Sequence, residues 1–199
     1  MKIILATTSP YRIEAFKFLG IPFVVEGSNV DESQVERKDP RGLVRDLSRL
    51  KAESVAQNQK EEVVVIGMDS VGCFQGKILE KPKSREDAFE RLTILSGNCY
   101  SFFTGIHMIY TAATRVTTIN RTQSSVVENA VRMRNISREE INKYLDQDPA
   151  FKTYAQGYDP LKGIGSSFIK GIEGSYNNIL RGIPLEEVVE MLKKWDIIG

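Results

Sequence analysis

Leu5-Ala6-Thr7-Thr8-Ser9-Pro10-Tyr11-Arg12 follows directly on the apolar run that starts at Lys2, and it breaks at once into hydroxyls, a proline and an arginine. Read locally, this is a buried strand from Lys2 to Ala6 handing over to a helix. Ser9 is the natural N-cap, and Pro10 falls at the first helical position, where its missing N–H costs nothing. Two stretches mid-chain share the pattern: Val65-Ile66-Gly67-Met68-Asp69-Ser70-Val71 and Glu80-Lys81-Pro82. Apolar strands that stop in small polar or charged residues are what an open α/β sheet presents where it binds ligand, at the carboxyl ends of its strands. Hydroxyls, a helix N-terminus and cations gathered there point to an enzyme acting on nucleotide phosphates.

Outward from that junction, strand and helix signals alternate. The helix from Pro10 is expected to reach Leu19, with Gly20 closing it, and Ile21 to Glu26 to form a second strand. Beyond the polar stretch Gly27 to Pro40, Leu43, Leu47, Leu50 and Val55 recur at helical spacing and predict a long amphipathic helix to about Gln57. Val63 to Ile66 reads as a third strand, and Val71 to Phe74 and Lys77 to Leu79 flank Gln75-Gly76 as a hairpin. Ser84 caps a helix through Leu95 that ends at Gly97. Cys99 to about Met133 is rich in Thr, Val, Ile, Tyr and Phe, which predicts two or three strands. Ile136-Ser137-Arg138-Glu139-Glu140 opens a short helix to Leu145, and Gly157 to Gly165 is the loosest segment. A last helix spans Pro184 to Trp195, with Glu186 and Glu187 early and Lys193 and Lys194 late, as the helix dipole favours.

Composition narrows the function. At 199 residues, 41% hydrophobic and 27% charged, the chain has an ordinary globular make-up, and one continuous domain over 1–199 is expected. The longest apolar runs, such as Ile106 to Tyr110, fall far short of the ~20 residues that span a bilayer, so no membrane partner is expected. The N-terminus lacks a secretory apolar core, and a cytosolic protein is expected. A net charge of +1, with no basic run interleaved with aromatics, argues against a nucleic-acid polymer as partner. Cys73 and Cys99 have no CxxC spacing, and His107 is the single histidine, so zinc is not expected. Any metal must take oxygen ligands, which points to Mg²⁺ or Mn²⁺.

Charges in the wrong places mark candidate site residues. On the first helix Ile13, Ala15, Phe16 and Leu19 form the apolar arc, and Arg12 projects into its middle. Arg12 either snorkels or pairs with a structural carboxylate, or it joins Thr7, Thr8, Ser9 and the helix N-terminus in a phosphate site. Lys51 lies between Leu47 and Val55 on the apolar arc of its own helix, where a lysine snorkels or serves as a ligand. Lys81 is held extended by Pro82, either as an ordinary loop lysine or as a charge fixed at a defined spot. Asp69 emerges from a buried strand just after Gly67, and a carboxylate there needs a cation, a metal or hydrogen bonds. Asp31 and Glu32 are either solvated loop charges or, if the loop folds over the strand ends, a source of a second metal ligand beside Asp69. Gln156 is a ligand-facing amide or an ordinary loop residue. Ile172 to Asn178 reads as a tight turn, with Gly174 in a backbone region closed to other residues and Asn177-Asn178 bonding locally.

In their order and spacing these stretches, with Leu50-Lys51-Ala52, Leu95-Ser96-Gly97, Thr104-Gly105, Gln156-Gly157, Ile172-Glu173-Gly174-Ser175-Tyr176 and Gly182-Ile183-Pro184-Leu185, resemble the Maf (septum formation protein) family of nucleoside triphosphate pyrophosphatases. That family is related in fold to the inosine triphosphatases. The resemblance implies an α/β protein with an elongated mixed sheet flanked by helices, two lobes with a central cleft, and a homodimer. It also implies hydrolysis of a pyrimidine or modified nucleoside triphosphate to the monophosphate and pyrophosphate with a divalent cation. Carried over, Asp69 is the catalytic base and a metal ligand with Glu32, and Ser9, Arg12, Lys51 and Lys81 hold the triphosphate. Gln156 lies at the substrate end of the cleft. Tyr11 departs from the family's usual arginine, Ser70 from its threonine and Tyr100 from a nearby histidine, and the segment after Gln156-Gly157 is longer. Two other readings are a nucleotide-binding regulator with little turnover and an inosine-triphosphatase-type enzyme for deaminated purines.

Overall fold

A computed structural model describes residues 1–113 and 118–199. Its strands are Lys2–Ala6 (β1), Val24–Glu26 (β2), Val63–Phe74 (β3), Lys77–Leu79 (β4), Cys99–Ala113 (β5), Thr118–Met133 (β6) and Ile169–Glu173 (β7). Its helices are Pro10–Lys17 (α1), Pro40–Ala56 (α2), Arg85–Leu95 (α3), Arg138–Gln147 (α4), Tyr176–Arg181 (α5) and Leu185–Lys193 (α6). One mixed sheet runs in the order β2-β1-β3-β5-β6-β7, with β4 paired to β3. The β2-β1-β3 side is parallel and the rest antiparallel, so the expected α/β class with a mixed, helix-flanked sheet is what the chain adopts. β1 is buried at every residue after Lys2, as a strand with neighbours on both sides must be.

Several elements differ from the sequence expectation, each for a tertiary reason. The second strand shortens to Val24–Glu26 because Ile21 and Phe23 pack inward instead, the Phe23 ring lying 4.7 Å from that of Phe16. The expected break after Ile66 does not occur. β3 runs unbroken through Gly67 to Ser70 because β5 pairs with it continuously, from Val63–Thr111 to Cys73–Ser101. Cys99 to Met133 holds two strands, and 114–117, which that expectation also covered, lie outside the described residues. Gly157 to Pro160, expected to be loose, is buried: the Tyr158 ring meets Tyr144 and Phe168, and the Asp159 N–H donates to the Tyr144 hydroxyl at 2.8 Å. The expected turn at 172–178 runs into α5, with Ser175 as N-cap, and the last helix begins at Leu185 behind Pro184.

The two faces of β3 face different helices. Val64, Ile66 and Met68 pack with Ala15 and Phe16 of α1 and with Val188, Met191 and Leu192 of α6. Val63 and Val65 pack with Ala52 and Val55 of α2, and Val71 with Leu43, Val44 and Leu47. α2 sits unusually low on its face. A Cβ at Gly67 would lie 2.3 Å from the Ser48 carbonyl oxygen, and one at Gly105 only 2.1 Å from that of Val44. Gly105 is the β5 residue paired with Asp69. Two glycines under one helix therefore bring α2 down onto the strand pair beside Asp69. A separate core under α3 and α4 gathers Leu92, Leu95, Tyr100, Phe102, Val131, Tyr144, Tyr158 and Phe168.

Candidate active site

Register creates the cleft. β1 pairs with β3 from Lys2–Val63 to Ala6–Gly67, while β4 pairs with β3 only from Gly72 onward. Met68 to Val71 are thus left without a strand neighbour on that side, just beyond the carboxyl end of β1. The opening is a cleft of about 850 Å³ whose walls include Thr7, Ser9, Asp69, Lys81, Gln156 and Arg181. The cleft thus opens beyond the carboxyl end of β1, whereas Asp69 sits within β3.

Asp69 points to the α2 face, where the low seating of the helix delivers Lys51. The Lys51 ammonium lies 2.6 Å from Asp69 Oδ1 and 2.8 Å from Glu32 Oε1, so one cation joins the two carboxylates. Lys51 and Asp69 are both mostly buried, and Glu32 is half-exposed. Burial alone would raise the Glu32 carboxyl, but the hydrogen bond and charge of Lys51, with the charges of Lys81 and Arg37, bring it below its ordinary value. Asp31 does a different job: it caps the short 3-10 turn Glu32–Gln34, accepting from the Ser33 N–H at 3.0 Å and hydroxyl at 2.7 Å, and so aims Glu32 inward. Arg37 ties this loop to the opposite wall through Glu80 at 2.8 Å. The Glu80 carbonyl in turn accepts from Arg91 at 2.6 Å, which fixes the backbone that carries the exposed Lys81.

Arg12 approaches from the other face. Its Nε–H donates to the Gly182 carbonyl at 2.8 Å, Nη1 to the Met68 carbonyl at 3.1 Å and Nη2 to the Ser70 hydroxyl at 2.7 Å. Three of the five guanidinium N–H groups are therefore taken up inside the protein and two remain. Arg12 grips Gly182 and the residues on either side of Asp69, through two backbone carbonyls and a hydroxyl rather than a structural carboxylate. Burial lowers its pKa, with Asp69 and Glu32 acting in the opposite direction. Ser9 caps α1 as expected, its Oγ accepting from the Arg12 N–H at 3.5 Å.

At the far end Gln156 is buried, and both ends of its amide are engaged. Its Nε2 donates to the Ile179 carbonyl at 3.3 Å, and Oε1 accepts from the Tyr100 hydroxyl at 2.9 Å. Tyr158 lies 3.2 Å from Tyr100, and burial pushes both phenols up, so both stay protonated. Tyr11 packs against Tyr154 with the rings tilted, 5.4 Å between centroids, and lies under the Arg181 guanidinium at 5.9 Å.

The structure thus brings Ser9, Arg12, Glu32, Lys51, Asp69, Lys81 and Gln156 to one cleft. Sequence reasoning gave no site role to Arg37 or to a set of polar side chains behind the cleft: Thr104, Asn129 and Asn178, all with no exposed surface. The Asn178 side chain does not bond locally, as the turn reading had it. It reaches Thr104 and Asn129, on two other strands. The available signal was an asparagine in the middle of a long β segment, where that residue is depleted.

A protein-family model described as Maf-like protein matches residues 2–195. A dTTP/UTP pyrophosphatase of Clostridium perfringens is 38% identical over 200 residues, covering 99% of this chain and 98% of its own. A 7-methyl-GTP pyrophosphatase of Pseudoalteromonas atlantica is 35% identical over 197 residues, covering 99% and 96%. Among solved structures, a HAM1 protein from Coxiella burnetii superposes with a TM-score of 0.46 at 15% identity, over 98% of this chain and 99% of its own.

Proposed function

The chain belongs to the Maf family, and from that premise we propose that it hydrolyses a pyrimidine or modified nucleoside triphosphate to the monophosphate and pyrophosphate. The observation that carries the reading is the Glu32–Lys51–Asp69 cluster at the wall of the cleft. Asp69, with the Lys51 ammonium on one oxygen, is the group that takes a proton from the attacking water. Lys51 has three N–H donors; two face the carboxylates, and the third serves a phosphate oxygen. Arg12 offers its two remaining N–H groups, Ser9 its hydroxyl proton and Lys81 its ammonium, unpaired among the described residues, from the opposite wall. Positioning and charge stabilisation of this kind supply most of the catalysis in phosphoryl chemistry. Gln156, with its amide taken up, shapes the substrate end of the cleft.

Two carboxylates that already converge on one cation are the partial donor set Mg²⁺ or Mn²⁺ accepts, with phosphate oxygens completing it. Among the described residues no group of three or more His, Cys, Asp or Glu side chains could hold a metal. Glu32 and Asp69 would hold it, and its charge would offset what builds on the phosphates. One catalytic domain over 1–199, a homodimer and a cytoplasmic location complete the reading and rest on the family.

The test is to incubate the purified protein with Mg²⁺ or Mn²⁺ and dTTP, UTP, 7-methyl-GTP and ITP, then separate the products. Monophosphate with pyrophosphate is expected, abolished by Asp69→Asn with nucleotide affinity largely retained. Release of inorganic phosphate instead, or Asp69→Asn turning over at the wild-type rate, would refute the assignment. Turnover confined to ITP would move the enzyme to the deaminated-purine class.

A further inference from the structure

Behind the cleft, hydrogen bonds form a continuous line whose direction can be worked out. Asn129 Nδ2 lies 2.9 Å from the Ser175 carbonyl and 3.3 Å from that of Glu173. Two carbonyls can only accept, so the Asn129 amide nitrogen must face them and its Oδ1 must face Asn178. Asn178 Nδ2 therefore donates to Asn129 Oδ1 at 2.8 Å, and Asn178 Oδ1 is left to accept from the Thr104 hydroxyl at 2.6 Å. Thr104 has one proton and has used it. The 2.7 Å contact between Thr104 and Ser70 must then carry the Ser70 proton, which leaves Ser70 Oγ as the acceptor for Arg12 Nη2 at 2.7 Å. Every donor on the line is fixed by the two carbonyls at its end.

A second path joins Asn178 to Arg12. The Asn178 carbonyl accepts from the Gly182 N–H at 2.8 Å, closing α5, and the Gly182 carbonyl accepts from Arg12 Nε at 2.8 Å. Asn178 thus holds the guanidinium at two nitrogens, once through side chains and once through backbone. Gly174 lets the turn that supplies the end carbonyls press onto Asn129: its φ is +102°, and a Cβ there would lie 2.7 Å from Asn129 Nδ2.

We propose that Thr104, Asn178 and Asn129 are positioning residues of the active site: a buried, one-directional relay that sets the Ser70 hydroxyl and the plane of the Arg12 guanidinium beside Asp69. The proposal deepens the hydrolase reading, on which its kinetic consequence rests. None of the three touches the cleft. They act by leaving Ser70 one orientation and Arg12 one rotamer, so that its two free N–H groups point the same way in every molecule.

The test pairs Thr104→Val, which keeps the shape and removes the hydroxyl, with Thr104→Ser, which keeps the hydroxyl. By NMR of the wild-type protein, the Ser70 and Thr104 hydroxyl protons should exchange slowly with water, and the Arg12 Nη groups should give separate signals. Thr104→Val should merge the Nη signals while Thr104→Ser retains them. In turnover, Thr104→Val should lower kcat about tenfold, the size of one lost hydrogen bond, with KM less affected. In a Ser70→Ala background the same change should leave kcat within about twofold, because the link it acts through is already gone. An equal loss in both backgrounds, unchanged Nη signals, or a wild-type protein with neither hydroxyl proton protected would overturn the relay. The NMR readouts need no substrate, so a wild-type protein without turnover refutes the hydrolase reading and leaves the relay to be judged on its own. The wild-type hydroxyl measurement decides the matter even if Thr104→Val does not fold.

Discussion

Gly67→Ala tests whether the seating of α2 makes the site. The added Cβ would fall 2.3 Å from the Ser48 carbonyl oxygen and 2.6 Å from the Ala52 N–H nitrogen, both helix backbone, which no side-chain rotation can relieve. Reaching even 3.0 Å from the carbonyl requires α2 to lift by about 0.7 Å, and ordinary contact requires more than 1 Å. Overpacking of that kind costs about 1–3 kcal/mol, and on a chain of this length each kcal/mol lowers Tm by about 2–4 °C. We expect a Tm lower by about 2–12 °C on that basis. The kinetic effect should be larger than the thermal one. Lys51 lies between Ser48 and Ala52 on the same turns, so its ammonium moves away from Asp69, now at 2.6 Å. A misplacement near 1 Å can cost about a hundredfold in rate, and kcat should fall between about tenfold and a hundredfold while the protein remains folded at 25 °C. Calorimetry and steady-state pyrophosphate release measure the two effects. A Gly67→Ala protein with an unchanged Tm, or one destabilised as expected yet with wild-type kcat, would refute the link between helix height and Lys51.

Three further outcomes follow from the geometry. Arg12→Lys should raise KM and lower kcat, because an ammonium cannot replace three fixed N–H contacts to Gly182, Met68 and Ser70, and unchanged kinetics would place Arg12 in a structural role. The Glu140 carboxyl is held at about 2 by its hydrogen bonds from Arg134 and the Ser137 backbone, against an ordinary value of 4.5. Between those values the unfolded chain binds more protons, so stability should rise with pH across that window. Urea melts of Glu140→Gln should lose part of that dependence, and identical slopes would sink the point. His107 is pushed below its ordinary 6.5 mainly by burial, and its Nε2 is without a hydrogen-bond partner among the described residues. Its contribution should therefore be lost as pH falls below 6.5, and His107→Gln should flatten the acid side of the stability profile near that value.

What the chain made legible was whatever depends on near neighbours. β1, the Ser9 and Ser84 caps, the Gln75-Gly76 hairpin and the out-of-place charges Arg12, Lys51 and Asp69 could all be read from spacing of a few residues. What stayed hidden depends on partners far along the chain. Gly67-Met68-Asp69 looks like a strand end until β5 is laid beside it, some forty residues later in sequence. Arg12 reads only as a charge on an apolar arc because nothing near it announces that Gly182 will take its Nε–H. Asn178 reads as a turn residue because its two side-chain partners, at 104 and 129, lie on other strands. Gly157 to Pro160 reads as loose because glycine and proline there suit a tight buried path as well as an open loop.

The unbroken run of β3 past the cleft also has a mechanical meaning. Its ladder with β5 extends from Val63–Thr111 to Cys73–Ser101, so the residues flanking Asp69 on both sides belong to one hydrogen-bonded beam. A hinge that closed the cleft by bending the protein there would have to break that ladder in the middle. The floor of the site is therefore stiff, and its rims are the segment carrying Glu32 and Arg37 and the one carrying Glu80 and Lys81. A single ion pair, Arg37 to Glu80, already latches those two rims together. That ion pair joins the two rims across the lip of the cleft, above a floor held by the β3–β5 ladder.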